Sequence, residues 1–459
     1  MLQTFLNAWK LPDVKKKLKF VLLILFLYRI GAVIPVPFVD ASSFEANFGG
    51  TVLSLMNTLS GGALSSATLF ALGISPYITA SIVIQLLTVA FPKLAEKTKN
   101  GEEGKKFANN LTRYVTVALS VVTAIGYYIL LSRNYMLVGD ARIGGSNMWF
   151  LYAFGIVVCY CAGASLVMWL AEKINENGIG NGISLILFAN IISVLPSMFI
   201  NFYSVTRAGF EAGVANGIFG IVLALAVIFV LLAVTVFIVF VTGSERRIPV
   251  QYAKRVVGRK MYGGQNTHLP IQLNMSGVMP VIFASSIISL PATIMLFCGV
   301  NAQTEGFWGS FYRFFEADNW FYPVAMLVLI ILFAYFYASF SFNAVEISNN
   351  LKKNGGMILG VRPGRPTAEF ISKILSKVVL IGAIFLSIIS ILPIIANPLV
   401  ITPAVKAITG VTDAALLQSI ASSFTFGGTS LLIVIGVALE FAKELEAQLT
   451  MRNYKGFLS

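Results

Sequence analysis

The chain of 459 residues is 57% hydrophobic and only 12% charged, carries a formal net charge of +13 and has a mean hydropathy of +0.82. Soluble domains carry about a quarter charged residues, so this composition excludes an ordinary soluble globule and describes an integral membrane protein. A single histidine, His268, excludes a His-based metal cluster, and no G-x-x-x-x-G-K-[ST] phosphate loop occurs. The chain reads as a non-enzyme with no metal and no cofactor.

Ten apolar runs follow one another, centred near Phe26, Ile82, Val121, Val157, Leu187, Phe229, Phe283, Leu329, Ala383 and Ile433. A bilayer is crossed by about 17 to 25 helical residues, and lipid satisfies no exposed backbone group. An all-α polytopic bundle of ten transmembrane helices is expected. The first run begins as "KLPDVKKKLK" and has the charge pattern of a signal peptide. "YRIGAVIPVPF" then continues the span with no small-residue cleavage site, so it reads as an uncleaved helix. Arg29 is its lone mid-span charge, either a substrate contact or a partner of carbonyls at a helix contact.

Residues 51–69, "TVLSLMNTLSGGALSSATL", are broken by Gly61 and Gly62 and too polar to span. Their apolar side chains Leu55, Leu59, Leu64 and Leu69 still need cover. Irregular backbone at membrane depth is tolerated only inside protein or beside a water-filled cavity, so a short helix folded back as a stopper is expected. The following "FALGISPYITASIVIQLL" (70–87) places Ile74 and Ile78 one helical turn apart, with Ser81 or Ile82 and then Gln85 continuing the face. Two readings stand: an apolar collar that closes a pore by excluding water, or ordinary core and lipid positions with hydroxyls bridging helices.

"GIGNGIS" (178–184) has glycines at the wrong spacing for a dinucleotide fingerprint and reads as a turn into the next span. In the seventh span, "NMSGVMPVIFASSIISLP" (274–291), Pro280 invites a bend, and Ser285, Ser286 and Ser289 match the polar flecks of the second span. The two spans form either a weakly held seam or two separate hydrogen-bonding faces. The three cysteines, Cys159, Cys161 and Cys298, lie in or beside apolar spans and suggest no disulfide framework. All 20 acids fall in loops or at span ends, which disfavours an ion-coupled carrier needing a midplane carboxylate.

The cations orient the bundle. Of 33 Lys and Arg, only Arg133, Arg142, Arg207, Arg313 and Lys406 fall opposite the N-terminus, with Arg29 inside the first span. Basic loops stay cytoplasmic, so both termini are expected inside. Two large loops, 243–274 and 344–372, hold Arg246, Arg247, Lys254, Arg255, Arg259, Lys260, Lys352, Lys353, Arg362 and Arg365. Topology and anionic lipid account for many of these. The arginines in "RRIPVQYAKR" and "GVRPGRPT" also suit bidentate docking of carboxylate or phosphate.

These segments, with "YRIGAVIPVPFVD", "SGGAL", "MWLAEKINENGIGNGIS", "THLPIQLNMSGVMPVIFASSI", "NLKKNGGMILGVRPGRPT" and "FGGTSLLI" in order, make the chain resemble the SecY family, the pore subunit of the bacterial protein-export translocase. The resemblance implies ten helices in two inverted five-helix halves around a central pore, here about 1–205 and 206–459, in the bacterial cytoplasmic membrane. It implies a plug at 51–69 and a pore ring of Ile74, Ile78, Leu187, Ile282 and Ile389, with Leu187 where isoleucine is common. It further implies a lateral gate between the second and seventh spans, with Gln85 and Asn274 as polar partners. The implied partners are SecE and SecG, the motor ATPase SecA or a translating ribosome on the basic loops, signal sequences, secretory precursors and lipid. Alternatives are a specialised accessory member of the family, a small-solute carrier and a structural scaffold.

Overall fold

The computed structural model describes residues 9–39, 52–98, 101–133, 136–137, 142–143, 148–252, 255–257, 260–262, 266–300, 304–316, 319–409 and 428–455. In chain order the helices are α1 (Pro12–Gly31), α2 (Val52–Ser60), α3 (Ser75–Ala90), α4 (Pro92–Thr98), α5 (Gly101–Arg133), α6 (Trp149–Asn177), α7 (Gly182–Ala212) and α8 (Val214–Gly243). After four strands come α9 (Met279–Phe297), α10 (Phe307–Phe314), α11 (Phe321–Ser341), α12 (Ala344–Lys353) and α13 (Arg365–Ala396). Helix α13 passes through a single π turn, Asn397–Ile401, into α14 (Thr402–Thr409), and α15 (Gly428–Lys455) closes the described chain.

All ten apolar centres fall in helices. Among the described residues, seven helices are long and apolar enough to cross a bilayer, and α3 with α4, bent by 112°, makes an eighth. The remaining two, α1 and α15, are charged toward one end, by Lys15, Lys16, Lys17 and Lys19 in α1 and by Glu440, Lys443, Glu444 and Glu446 in α15. Proline placement explains several starts. Pro76 and Pro280 sit in the first turns of α3 and α9, where a missing N–H costs no helical bond. The bend expected at Pro280 is therefore replaced by a helix start. Helix α7 runs through position 205 to Ala212 and breaks at Gly213, so the division drawn at 205/206 lies inside a helix.

The helical class is supplemented by short strands: β1 (Glu245–Tyr252), β2 (Arg255–Val257), β3 (Lys260–Tyr262), β4 (Asn266–Gln272) and β5 (Gly356–Ile358). Strands β2 and β3 form an antiparallel ribbon. The others form a sheet in the order β4-β1-β5, with Ile248 opposite Leu269 and Val250 opposite both Thr267 and Ile358. Both basic loops thus contribute to one platform. Alternate residues Ile248 and Val250 are buried with Ile271, Ile358, Ala334, Ala338, Ile371 and Leu375, seating the sheet on α11 and α13. Pro249 is tolerated because β5 reaches only from Val250 to Tyr252, leaving β1 with one neighbour at that point.

Candidate functional site

The five collar positions come from four helices and their caps. Ile74 is the N-cap of α3 and Ile78 lies one turn on; Leu187 is on α7, Ile282 on α9 and Ile389 on α13. All are buried, none more than 5% exposed, and all belong to one apolar cluster. Branched apolar side chains present no group to hold water or ions.

Against this cluster sits the broken segment. Helix α2 ends at Ser60, and Gly61 (φ +69°) and Gly62 (φ +85°) turn the chain back. The turn is knitted internally: Ser65 N donates to Asn57 Oδ1 at 2.9 Å, Leu64 N to Ser60 Oγ at 3.2 Å, and Ser60 Oγ to Asn57 O at 3.0 Å. It is also gripped from outside. Asn190 Nδ2 on α7 donates to Leu59 O at 2.8 Å, and Tyr127 Oη on α5 donates to Leu64 O at 2.6 Å. Tyr160 Oη on α6 donates to Ala67 O at 3.4 Å. Arg29 Nη1 donates to Gly61 O at 3.4 Å, so the carbonyl-partner reading of Arg29 is the observed one. Helix α6 approaches closely enough that a Cβ on Gly163 would run into the carbonyl of Leu69. Leu59 is half-buried and Leu64 buried; position 51 and the Leu55 side chain lie outside the described residues.

Sequence reasoning missed Tyr127, Tyr160 and Asn190. The available signal was a polar atom inside an apolar span, which in lipid demands a partner.

Helices α3 and α9 touch only lightly, whereas α9 packs extensively on α11. Between them lies a cavity of about 90 Å³ bounded by Ser75 and Thr79 of α3, Ser285 and Ser286 of α9, and Met56 and Leu64 of the broken segment. Ser285 donates to Ile282 O at 3.0 Å and Ser289 to Ser286 O at 2.9 Å, both within α9. Gln85 Nε2 donates to Ser81 Oγ at 3.3 Å on its own helix. Asn274 is buried before α9, and no Gln85–Asn274 hydrogen bond forms among the described residues. Gln85, Ser285 and Ser289 thus bond along their own helices, and no hydrogen bond joins α3 to α9 among the described residues.

Of the basic positions, Arg246 and Arg247 are exposed on β1, with Arg247 Nε 2.6 Å from Glu245 Oε1. Arg255 starts β2 and Lys260 starts β3; Lys254 and Arg259 lie outside the described residues. Lys352 and Lys353 occupy the last turn of α12, where cations favour the helix's carbonyl end. Arg365 pairs with Glu369 at 3.0 Å. Arg362 is exposed at a loop tip fixed by Thr367 Oγ1 donating to Arg362 O at 2.8 Å and Ser348 Oγ to Gly364 O at 2.7 Å.

A helical membrane bundle with a Gly-broken short helix packed against a buried apolar cluster is the arrangement on which the comparisons bear. The fold agrees: the solved structure described as "The structure of a protein conducting channel" superposes with a TM-score of 0.62 at 17% identity, covering 96% of each chain. A second, on the SecY plug domain and the membrane seal, gives 0.63 at 18% identity, again over 96% of each. The SecY family profile matches residues 68–442. Proteins named protein translocase subunit SecY from Streptomyces galbus and Mycobacterium tuberculosis are each 40% identical, over the full length of both chains. The chain belongs to the SecY family.

Proposed function

We propose that the chain is the channel subunit of a Sec protein translocase, passing unfolded polypeptides across the bacterial cytoplasmic membrane and releasing apolar segments sideways into lipid. One observation carries this reading: the Gly-broken segment is docked beside a five-residue buried collar, next to a seam that holds no cross-link. The collar of Ile74, Ile78, Leu187, Ile282 and Ile389 seals around an extended chain, and residues 51–69 stopper the idle pore. The lateral gate runs between α3 and α9, through Ser81, Gln85, Asn274, Ser285 and Ser286. The segments 1–205 and 206–459 act as its two halves.

The chain is a conduit rather than an enzyme, so energy comes from a partner or the membrane potential. The platform formed by 243–274 and 344–372 suits an acidic protein surface or ribosomal RNA, and we assign it to SecA or a translating ribosome. SecE and SecG complete the assembly, and both termini face the cytoplasm. The test is protease protection of a secretory precursor in proteoliposomes containing this chain with its cognate SecE, with SecA and ATP added or omitted. Protection that needs every component supports the proposal. Verified insertion and motor binding without protection overturns it.

A further inference from the structure

We infer that Asn190 is a latch that holds the stopper in the closed pore, an assignment that rests on the channel reading above. On α7, Leu187, Asn190 and Ser193 follow at helical spacing, so one stripe carries a collar residue, then an amide, then a hydroxyl. Asn190 is fully buried. Its Nδ2 uses one hydrogen on Leu59 O at 2.8 Å and the other on Tyr28 Oη at 2.9 Å, tying α7, α1 and α2 at one point.

The acceptor explains why an amide stands there. Leu59 is next to last in α2, and the final carbonyls of a helix have no partner of their own. At membrane depth no bulk water substitutes. Asn190 caps one of these carbonyls, while Arg29 Nη1 and Ser193 Oγ reach Gly61 O at 3.4 and 3.5 Å. The glycine makes the approach possible. A Cβ at Gly61 would lie 2.9 Å from Ser193 Oγ and 3.0 Å from both Arg29 Nη1 and Asn190 Oδ1, on a backbone at φ +69°.

The latch is incomplete by one bond. Asn190 Oδ1 is buried without a hydrogen-bond partner, which raises the energy of the closed state. The stopper is therefore held by donors on Asn190 yet leaves its acceptor unsatisfied, which suits a contact that must be broken during each opening.

The experiment measures ion leak through proteoliposomes holding the full chain with its partner subunits and no motor. Asn190→Leu removes both donors at similar volume, and Gly61→Ala crowds Ser193, Arg29 and Asn190 from the stopper side. A chain lacking residues 51–69 is the control for an unstoppered pore. Ala63→Cys, at a position buried in the closed form, reports stopper release by labelling with a membrane-impermeant maleimide, read against the parent chain's own three cysteines.

The latch predicts a leak roughly tenfold above the parent for each variant, the scale of one lost buried hydrogen bond, with faster labelling at position 63. If the control leaks while Asn190→Leu stays sealed and unlabelled, the latch is overturned and the channel reading stands. If even the control never leaks, the channel reading falls and takes the latch with it.

Discussion

At the scale of single residues, one polar contact outside the collar has a clear energetic sign. Arg113 on α5 meets Glu172 on α6, with Nε 2.9 Å from both carboxylate oxygens and Nη2 2.7 Å from Oε2. Removing one partner of a fully buried pair costs about 3–5 kcal/mol, but the Arg113 side chain is 43% exposed, so water shares the load and about 1–2 kcal/mol is expected. Arg113→Ala should lower the thermal midpoint of the purified complex, and Glu172→Gln should lower it less, because the amide keeps a neutral acceptor beside the guanidinium. An equal loss from both would contradict the pairing. Residue legibility followed the same physics. The spacing of Ile74 and Ile78 put them on one helix face but left a collar and ordinary core positions both open. Asn190 and Tyr127 were not, because their partners are backbone carbonyls of a distant segment, and nothing in a local window marks a carbonyl as unpaired.

Among the elements, helices were readable wherever apolar runs were long, and Gly61–Gly62 correctly marked the end of α2. The platform was not. Strand β5 has three residues and pairs with β1 across roughly a hundred positions, so its only signature is a partner that local periodicity cannot see. Its structure yields a prediction that separates charge from scaffold. Gln251 pairs with Asn266 on one side and Met357 on the other, so Gln251→Pro should break the ladder and abolish motor-driven export and motor binding together. Arg362→Glu should abolish motor-driven export with the sheet intact. Limited proteolysis within 344–372 tells the two apart: accelerated for Gln251→Pro and unchanged for Arg362→Glu.

Across the whole molecule, hydropathy located the helices long and apolar enough to cross a bilayer, because it acts on the chain as a sum over many residues. The convergence of the collar was beyond such sums. Ile74 and Ile389 are separated by most of the chain, and only the packed bundle buries them in one cluster. A polar substitution there should therefore act on the seal more than on the fold. Ile282→Ser is expected to raise basal ion conductance at least several-fold with little change in expression or in assembly with the partner subunits. A conductance matching the parent would remove Ile282 from the constriction.

The platform and the seam are also mechanically in series. Strand β4 ends at Gln272 and α9 begins at Met279, so the intervening tether reaches at most about 25 Å even when stretched. It has little slack, since Leu273 N donates to Ser244 O at 3.0 Å and the Leu273 carbonyl lies where Gly382 of α13 has no side chain. A partner that tilts the sheet therefore pulls on the first turn of α9. Under the proposed docking, a load on the sheet becomes torque on α9, and the lever is the sheet that two distant loops build together.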